Sequence, residues 1–285
     1  MSIEISHLTH LYNPGTAMER KALDDVNITI NDGEFVAFIG HTGSGKSTLI
    51  QHLNALIKPT SGKILLDGED INADKTKLKA IRQKVGLVFQ YPEHQLFEMT
   101  VFKDVCYGPK NMGLSEEEIE NAAKKALDLV GLDQSFYDKS PFELSGGQKR
   151  RVAIAGILAM NPRVLVLDEP TAGVDPRGRD EILGAIDHMH KETGITVILV
   201  SHSMEDVAKY ADRIVVMNNG HVALTGTPKE VFSHVSELEE MGLAAPQTSY
   251  VMKGLKDNGL NVPQDVYTVD EATDVLYELL KQVTK

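Results

Sequence analysis

The stretch Gly40-His41-Thr42-Gly43-Ser44-Gly45-Lys46-Ser47 follows a short apolar run at 34–39 and precedes an amphipathic segment from 46 to about 56. This order predicts a buried strand, a glycine-rich loop and a helix. Glycines in such a loop let backbone N–H groups converge on phosphate oxygens, and the following helix contributes the positive end of its dipole. A chance glycine-rich turn is the alternative. The strand and helix on either side favour a nucleotide phosphate site on an α/β fold.

Two other segments carry the same kind of chemistry. Leu144-Ser145-Gly146-Gly147-Gln148 contains a second glycine loop, and Val164-Leu165-Val166-Leu167-Asp168-Glu169 is an apolar strand that ends in two acids. Carboxylates directly after a buried strand emerge at the carboxyl edge of a sheet, where α/β folds bind ligands. A helix-capping acidic pair is the simpler alternative for Asp168 and Glu169. Their position favours a place at the ligand-binding edge.

The rest of the chain predicts a mixed α/β architecture. Apolar runs at 164–167 and 196–200 fit buried parallel strands, and the segment 180–191 between them has helical spacing. Alternating apolar residues at 3–5 and 26–30 predict a small antiparallel sheet beside the parallel one.

Two regions depart from this α/β pattern. The sequence from 92 to about 162 predicts a helical insert, in which Ser115-Glu116-Glu117-Glu118 opens a helix as a capping box. A second helix start at Thr268 follows a change of pattern near 236. We therefore predict one large domain at 1–235 and a small C-terminal helical domain at 236–285.

Composition restricts the class of protein. Among the 285 residues, 42% are hydrophobic and 25% are charged, which is typical of a folded globular chain. No apolar run approaches the ~18 to 20 residues of a membrane span, so we expect the chain to stay in the cytoplasm. The net charge of -12 argues against broad nucleic-acid binding. Cys106 is the only cysteine, which excludes an intramolecular disulfide.

Taken together, the motifs resemble those of the ATP-binding cassette (ABC) ATPases, over roughly residues 3 to 235. The phosphate loop, Gln90 after an apolar run, the Leu-Ser-Gly-Gly-Gln signature, the acidic strand and the strand ending in Ser201-His202 occur in the family's order. The resemblance implies a P-loop ATPase fold with a mixed core sheet, an antiparallel β subdomain, a helical subdomain and, here, a small C-terminal appendage. It also implies ATP and Mg²⁺ as cofactors.

The resemblance also assigns roles to individual residues. Lys46 would reach the β and γ phosphates, and Asp168 would hold Mg²⁺, commonly through water. Glu169 would polarise the attacking water, and His202 would sense the γ phosphate. The implied metal ligands are Ser47, Gln90 and Asp168, with Gln90 also among the catalytic residues. The implied nucleotide-binding residues are Tyr12, Gly40, His41, Thr42, Gly43, Ser44, Gly45, Lys46, Ser47, Thr48, Ser145, Gly146, Gly147, Gln148 and Asp175.

A second anion-binding loop is redundant if one loop already wraps the phosphates of a single nucleotide. In the family that this chain resembles, two cassettes pair head to tail, and the signature loop of one closes over ATP held by the other. Each chain would then hold half of two sites. We interpret Lys149-Arg150-Arg151, after the signature, as a solvated or interface face rather than a nucleic-acid patch.

Narrower features resemble the ATPase subunits of energy-coupling-factor (ECF) importers of vitamins and metals. The segments 90–97 and 107–114 carry this resemblance. The phosphate loop, followed by Gln51-His52-Leu53-Asn54, is most like the corresponding segment in the second of the two paired ATPases of group II systems. The implied partners are a second ATPase in a heterodimer, a transmembrane coupling subunit whose helix enters a groove near 90–97, and a membrane-embedded substrate-binding subunit. The implied location is peripheral, at the cytoplasmic face of the membrane.

Two alternatives stay open at this point. Related cassettes serve DNA repair and translation, which would make the chain a nucleic-acid- or ribosome-linked ATPase. Two features disfavour this nucleic-acid-linked function: the sequence between 46 and 144 has no sustained heptads of a coiled coil, and the chain has a single phosphate loop. A non-hydrolysing ATP sensor would conflict with an intact Glu169 and His202.

One residue departs from the pattern of the resembling family. Gly156 stands where many importer ATPases carry an arginine.

Overall fold

The computed structural model describes residues 2–283, and ten strands within them form two sheets. The strands are β1 (Ile3–Tyr12), β2 (Arg20–Ile30), β3 (Phe35–Ile39), β4 (Ser61–Leu66), β5 (Glu69–Asp70), β6 (Val85–Val88), β7 (Val164–Asp168), β8 (Thr196–Val200), β9 (Arg213–Asn218) and β10 (His221–Gly226).

Eleven α-helices accompany the strands in the same described residues. They are α1 (Lys46–Leu53), α2 (Leu78–Lys84), α3 (Val101–Met112), α4 (Glu116–Leu129), α5 (Gly146–Leu158), α6 (Pro176–Thr193), α7 (Met204–Tyr210), α8 (Pro228–Phe232), α9 (Val235–Glu240), α10 (Gln247–Asp257) and α11 (Val269–Val283). No helix within residues 2–283 is both long and apolar enough to cross a bilayer.

The larger sheet has the strand order β10-β9-β3-β8-β7-β6. Its neighbours pair in parallel from β9 to β6, and only β10 runs antiparallel, as the second strand of a hairpin with β9. Strands β3, β7 and β8 are buried along their whole length because both faces are covered. The parallel pairing brings the carboxyl ends of β3, β6, β7 and β8 to one edge.

The smaller sheet is antiparallel, with the order β2-β1-β4-β5. Helix α1 packs between the two sheets through Leu49, Ile50 and Leu53, which share one hydrophobic core with Phe38 and Ile5. The helix ends at Leu53, earlier than predicted, and Ala55 just after it has a left-handed φ of 53°. The mixed core sheet with an antiparallel sheet beside it confirms the predicted fold class.

The opposite face of the core sheet carries the helical segment. A 3-10 turn, Pro92–Gln95, is followed by α3, α4 and α5, and these helices pack on Leu165, Leu167 and Leu199. Helix α4 begins with the reciprocal capping box between Ser115 and Glu118. This packing positions the start of α5, and with it the signature loop, apart from the phosphate loop.

The C-terminal part contains two small hydrophobic clusters. Leu238 and Leu243 pack with α7 and α8, whereas Met252, Val266 and Ala272 form a separate cluster between α10 and α11. Packing against the main domain therefore continues past the predicted boundary at 235/236. The division into domains at 1–235 and 236–285 stays a prediction.

Candidate nucleotide-binding site

The phosphate loop connects β3 to α1 and leaves the start of that helix uncapped. The N-cap residue Gly45 has a φ of 107° and no side chain to accept a hydrogen bond, whereas side chains cap α3 to α8. A Cβ at Gly45 would lie 2.6 Å from the Ala22 carbonyl oxygen, so glycine is required there. The N–H groups of the first turn have no intrahelical acceptor. They are free to bind an anion.

Lys46 supplies the cation of this loop. Its side chain is almost completely buried, and Nζ donates hydrogen bonds to the carbonyl oxygens of Gly40 at 2.6 Å and His41 at 3.1 Å. Burial lowers the pKa of Lys46, and the carboxylates of Glu169 and Asp168 oppose that shift. The ammonium therefore lies between the phosphate loop and the acidic end of β7.

Asp168 and Glu169 follow each other in sequence but have different surroundings. Burial raises the pKa of Asp168, and a hydrogen bond with the Ser47 side chain opposes the rise. Glu169 has a left-handed φ of 48°, while its N–H donates to the Val200 carbonyl at 3.0 Å. A left-handed residue other than glycine costs about 1–2 kcal/mol, so the surrounding sheet maintains this turn.

Three strand ends meet around the Glu169 carboxylate. Gln90, just after β6, donates from Nε2 to Glu169 Oε2 at 3.1 Å. His202, just after β8, places Nε2 3.1 Å from Glu169 Oε1. Each carboxylate oxygen thus has its own nitrogen partner, and the side chain has one orientation. A carboxylate held in this way can accept a proton from a water molecule.

A cleft of about 510 Å³ opens over these groups. Tyr12 forms one wall, with its hydroxyl 3.2 Å from Thr48 Oγ1 and its ring edge-on to His10 at 4.6 Å. The lining consists of Tyr12, Arg20, Ala22, Thr42, Gly43, Gly45, Lys46, Ser47, Thr48, Gln90, Glu169 and His202. The structure therefore brings together residues predicted from five separate segments of the sequence.

Sequence reasoning missed Arg20. This residue begins β2, and its Nη2 donates to the Gly43 carbonyl oxygen at 3.4 Å, which places a second cation in the cleft beside Lys46. No motif surrounds Arg20 in the sequence. Only the packing of the antiparallel sheet against the phosphate loop reveals its position.

Three predicted residues support the loop from outside the cleft. Gly40 is buried, and a Cβ there would collide with the Met217 carbonyl oxygen. Ser44 is buried, and within the described residues its Oγ has no hydrogen-bond partner. His41 points away, with Nε2 3.2 Å from Asn218 Oδ1.

The signature loop lies in a different cleft, of about 400 Å³, which shares no lining residue with the first. Ser145 caps α5 by accepting from the Gln148 N–H at 3.3 Å, and Gln148 Oε1 accepts in return from the Ser145 N–H at 3.0 Å. Asp175 lines the same cleft and caps α6 by accepting from the Gly178 N–H at 3.0 Å. Gly146 and Gly147 complete the predicted set. The chain does not bring its own signature loop to its own phosphate loop.

The prediction for the basic run after the signature is wrong for Arg150. This side chain is 2% exposed, and it binds Glu93 and two backbone carbonyl oxygens of the loop after Glu169. The error has a physical cause, since adjacent residues on a helix face different directions. Arg151 remains partly exposed and pairs with Glu181 at 3.4 Å.

The histidines behind Tyr12 have a structural role. His52 is fully buried, with Nδ1 2.7 Å from the Thr48 carbonyl oxygen and Nε2 3.1 Å from His10 Nδ1. Burial lowers the pKa of His52 from 6.5 to about 4. The imidazole is therefore neutral in the folded chain at neutral pH, and it supports the wall that carries Tyr12.

This pKa predicts a pH-dependent stability. Between about pH 6.5 and pH 4 the unfolded chain binds a proton at His52 that the folded chain excludes, so stability falls as pH falls through that window. The full shift corresponds to ~3 kcal/mol. We expect the wild type to lose more unfolding free energy than His52→Gln between pH 7 and pH 4, as measured by urea denaturation. His221→Gln, at an exposed histidine, is the control, and parallel pH profiles for wild type and His52→Gln would contradict the expectation.

Comparisons with known proteins agree with this geometry. A family model described as ABC transporter matches residues 23–172. The energy-coupling factor transporter ATP-binding protein EcfA2 of Clostridium tetani is 60% identical over 282 residues, which cover 99% of this chain and 97% of the relative. EcfA2 of Clostridium perfringens is 58% identical, with 99% of each chain covered.

Two solved structures extend the comparison to the fold. The structure of cbiO1 from Clostridium perfringens, part of the ABC transporter complex cbiONQ, has a TM-score of 0.76 and 42% identity, covering 88% of this chain and 98% of that one. The dimeric post-hydrolysis structure of the ATP-binding cassette MJ0796, bound to ADP and Pi, has a TM-score of 0.71 and 33% identity, covering 79% of this chain and 98% of that one. The chain belongs to the ABC transporter family and, within it, to the ATP-binding proteins of energy-coupling factor transporters.

Proposed function

We propose that this chain binds and hydrolyses ATP as the second ATPase subunit of an energy-coupling factor importer. Hydrolysis of ATP by this subunit would drive uptake of a vitamin or other micronutrient through a membrane coupling subunit. The observation that carries the proposal is that the chain has both the Glu169 site and an open groove with apolar side chains, which lies between α2, α3 and α5. A nucleic-acid- or ribosome-linked ATPase has no comparable support, because relatives similar over the full length are named as transporter subunits.

The phosphate end of the cleft fits ATP with Mg²⁺. The uncapped start of α1, Lys46 and Arg20 are donors for phosphate oxygens, and Ser47, Asp168 and Gln90 offer the oxygen ligands that Mg²⁺ prefers. Bound there, Mg²⁺ would neutralise charge on the β and γ phosphates. The ring of Tyr12 lines the same cleft, where it would stack on adenine.

Glu169 performs the proton chemistry in this proposal. Its carboxylate accepts a proton from the water that attacks the γ phosphate, and Gln90 and His202 hold its two oxygens so that it faces that water. His202 also lies close enough to the phosphate end of the cleft to respond to the γ phosphate. Lys46 and the first turn of α1 hold the phosphates in line.

A second ATPase completes each site. The signature loop and Asp175 lie in a cleft separate from the phosphate loop, so a lid for ATP has to come from a neighbouring cassette. The dimeric state of the MJ0796 cassette supports a pair of cassettes, for which we propose a head-to-tail arrangement. We propose a heterodimer with a related but different subunit, held as a peripheral assembly at the cytoplasmic face of the membrane.

The groove is the proposed contact with the transmembrane coupling subunit. It has a volume of about 550 Å³ and lies between α2, α3, α5 and the turn at Pro92–Gln95. Phe97 and Tyr107 pack edge-to-face at 4.9 Å on its rim and are 57% and 46% exposed. Its apolar and sulfur-containing lining includes Leu96, Met112, Val152, Ile157 and Met160. An amphipathic helix from the coupling subunit matches such a groove.

Gly156 provides a direct test of this contact. It lines the groove, and a Cβ at this position would meet open space, so an arginine side chain fits without disturbing the core. We expect Gly156→Arg to fill the groove and to reduce recovery of the coupling subunit by at least about 10-fold in affinity purification from solubilised membranes, since a long charged side chain would occupy the centre of the surface that the partner helix needs. ATP turnover by the isolated ATPase pair should persist.

Gly254→Arg is the matched control for this experiment. Gly254 lies in α10 with equally open space around its Cβ and outside the groove lining. It makes the same change in charge and helix propensity. Unchanged recovery of the coupling subunit with Gly156→Arg, or equal loss with both variants, would contradict the proposed docking site. Recovery of a ribosome or DNA-repair complex without a membrane protein would contradict the proposed function.

A further inference from the structure

Arg150 is a buried cation whose hydrogen bonds join distant parts of the chain. Its Nε and Nη2 donate to the two carboxylate oxygens of Glu93, at 3.0 and 2.7 Å. Its Nη1 donates to the carbonyl oxygens of Pro170 at 3.2 Å and Ala172 at 2.6 Å. The Tyr91 ring lies 5.8 Å from the guanidinium carbon. Nearly all the donors of the guanidinium are therefore used inside the protein.

Arg150 and its hydrogen-bond partners lie in three different functional segments. Glu93 lies in the turn Pro92–Gln95, whose last residue and the next two, Leu96 and Phe97, line the groove. Arg150 itself follows the signature glycines in α5. Pro170 and Ala172 come directly after Glu169, and the Ala172 N–H donates to the Glu169 carbonyl oxygen at 3.1 Å. A series of hydrogen bonds thus leads from the turn beside the groove to the backbone of Glu169.

The contact between Arg150 and Glu93 is a charged pair. Burial raises the pKa of Glu93, but the hydrogen bond and charge of Arg150, together with a backbone hydrogen bond, outweigh burial, so that the pKa is lowered overall. The planar guanidinium fork of Arg150 matches the carboxylate in two parallel hydrogen bonds. A shift of the turn would therefore carry the guanidinium with it. A lysine could not reproduce this, because a single ammonium cannot hold a carboxylate and two carbonyl oxygens in one plane.

We propose that Arg150 is a positioning residue that links occupation of the groove to the placement of Glu169 and of the signature loop. The inference rests on the proposed function, because it needs a coupling subunit in the groove. Arg150 lines neither the nucleotide cleft nor the groove, although it lines the signature-loop cleft together with Glu93. It acts through Glu93 on one side and through the loop 170–172 on the other. A helix that enters the groove and displaces the turn would then alter the hydrolytic site.

The test compares ATP turnover of the complete transporter in proteoliposomes with that of the isolated ATPase pair. The ratio of the two rates measures how strongly the groove partner acts on the site. We expect Arg150→Lys to move this ratio toward one by about 5-fold or more, with a smaller change in the rate of the isolated pair. Glu93→Gln breaks the same contact from the groove side and should change the ratio in the same direction. The double variant should add little to either single change.

Arg213→Lys is the matched control. Arg213 forms a similar fork with Glu34 and donates to the Thr29 carbonyl oxygen, but it lies on β9, outside the lining of the groove and of both clefts. We expect Arg213→Lys to lower the stability of the chain about as much as Arg150→Lys does, and to leave the ratio of the two ATP turnover rates unchanged. If wild type responds to the coupling subunit and both Arg150→Lys and Glu93→Gln keep its ratio, the inference alone is overturned. If wild type does not assemble with a coupling subunit, the proposed function fails and this inference fails with it.

Discussion

Replacing Glu169 with glutamine is expected to lower ATP turnover by about 10²- to 10⁴-fold, the range in which general base catalysis contributes. Glutamine has the same size and keeps an oxygen that can accept from His202, while the Gln90 amide can rotate to suit the new NH₂ group. ATP binding should persist, since Lys46 and the first turn of α1 are untouched. What is lost is the capacity to accept a proton from the attacking water.

The measurement is steady-state phosphate release together with nucleotide affinity. Glu120→Gln is a suitable control, because it removes a carboxylate from an exposed ion pair with Lys124 on α4, far from the lining of the cleft. The Glu169→Gln pair should also accumulate in an ATP-bound closed form, visible as a larger species in size-exclusion chromatography. Equal turnover in wild type and Glu169→Gln would remove Glu169 from the role of base.

The second large effect concerns the signature loop. Placing a carboxylate at Gly147 is expected to lower turnover of the ATPase pair by at least about 10²-fold, because a negative charge would face the phosphates that the lid closes over. A Cβ at Gly147 meets open space within its own chain, so folding should be unaffected. This chain's own affinity for ATP should also stay unchanged, since its phosphate loop lies in a different cleft.

A control and a dilution series complete the experiment. Gly254→Asp makes the same substitution at an equally open helical glycine and should leave turnover as in wild type. Turnover per chain should fall on dilution below the dissociation constant of the pair. Retained turnover in Gly147→Asp, or constant specific activity in a particle shown to be monomeric, would contradict the shared site.

Much of the nucleotide site could be predicted from sequence because its parts are local. The glycines before Lys46, the two acids at the carboxyl end of β7 and His202 after β8 each stand at the end of an apolar strand. In a parallel sheet such ends meet at one edge, whatever the rest of the chain does. The fold class follows from the same patterns, since buried parallel strands and alternating edge strands differ in period.

The tertiary structure decided what no local pattern contains. The sequence predicts a solvated or interface face for Arg150, yet this side chain is buried because Glu93 and the loop after Glu169, both far away in sequence, surround it. Arg20 enters the cleft only because the antiparallel sheet packs on the phosphate loop. The separation of the two glycine loops into different clefts depends on how the helical segment sits on the core sheet.

The sequence by itself thus determined the chemistry of each strand end and loop, because residue type and spacing set what a short segment can bind. Only the folded chain decided which of these groups meet, which charges are buried, and that Glu169 lies between Gln90 and His202. The physical reason is that burial and pairing depend on contacts between residues far apart in sequence, whereas motifs report only neighbours along the chain.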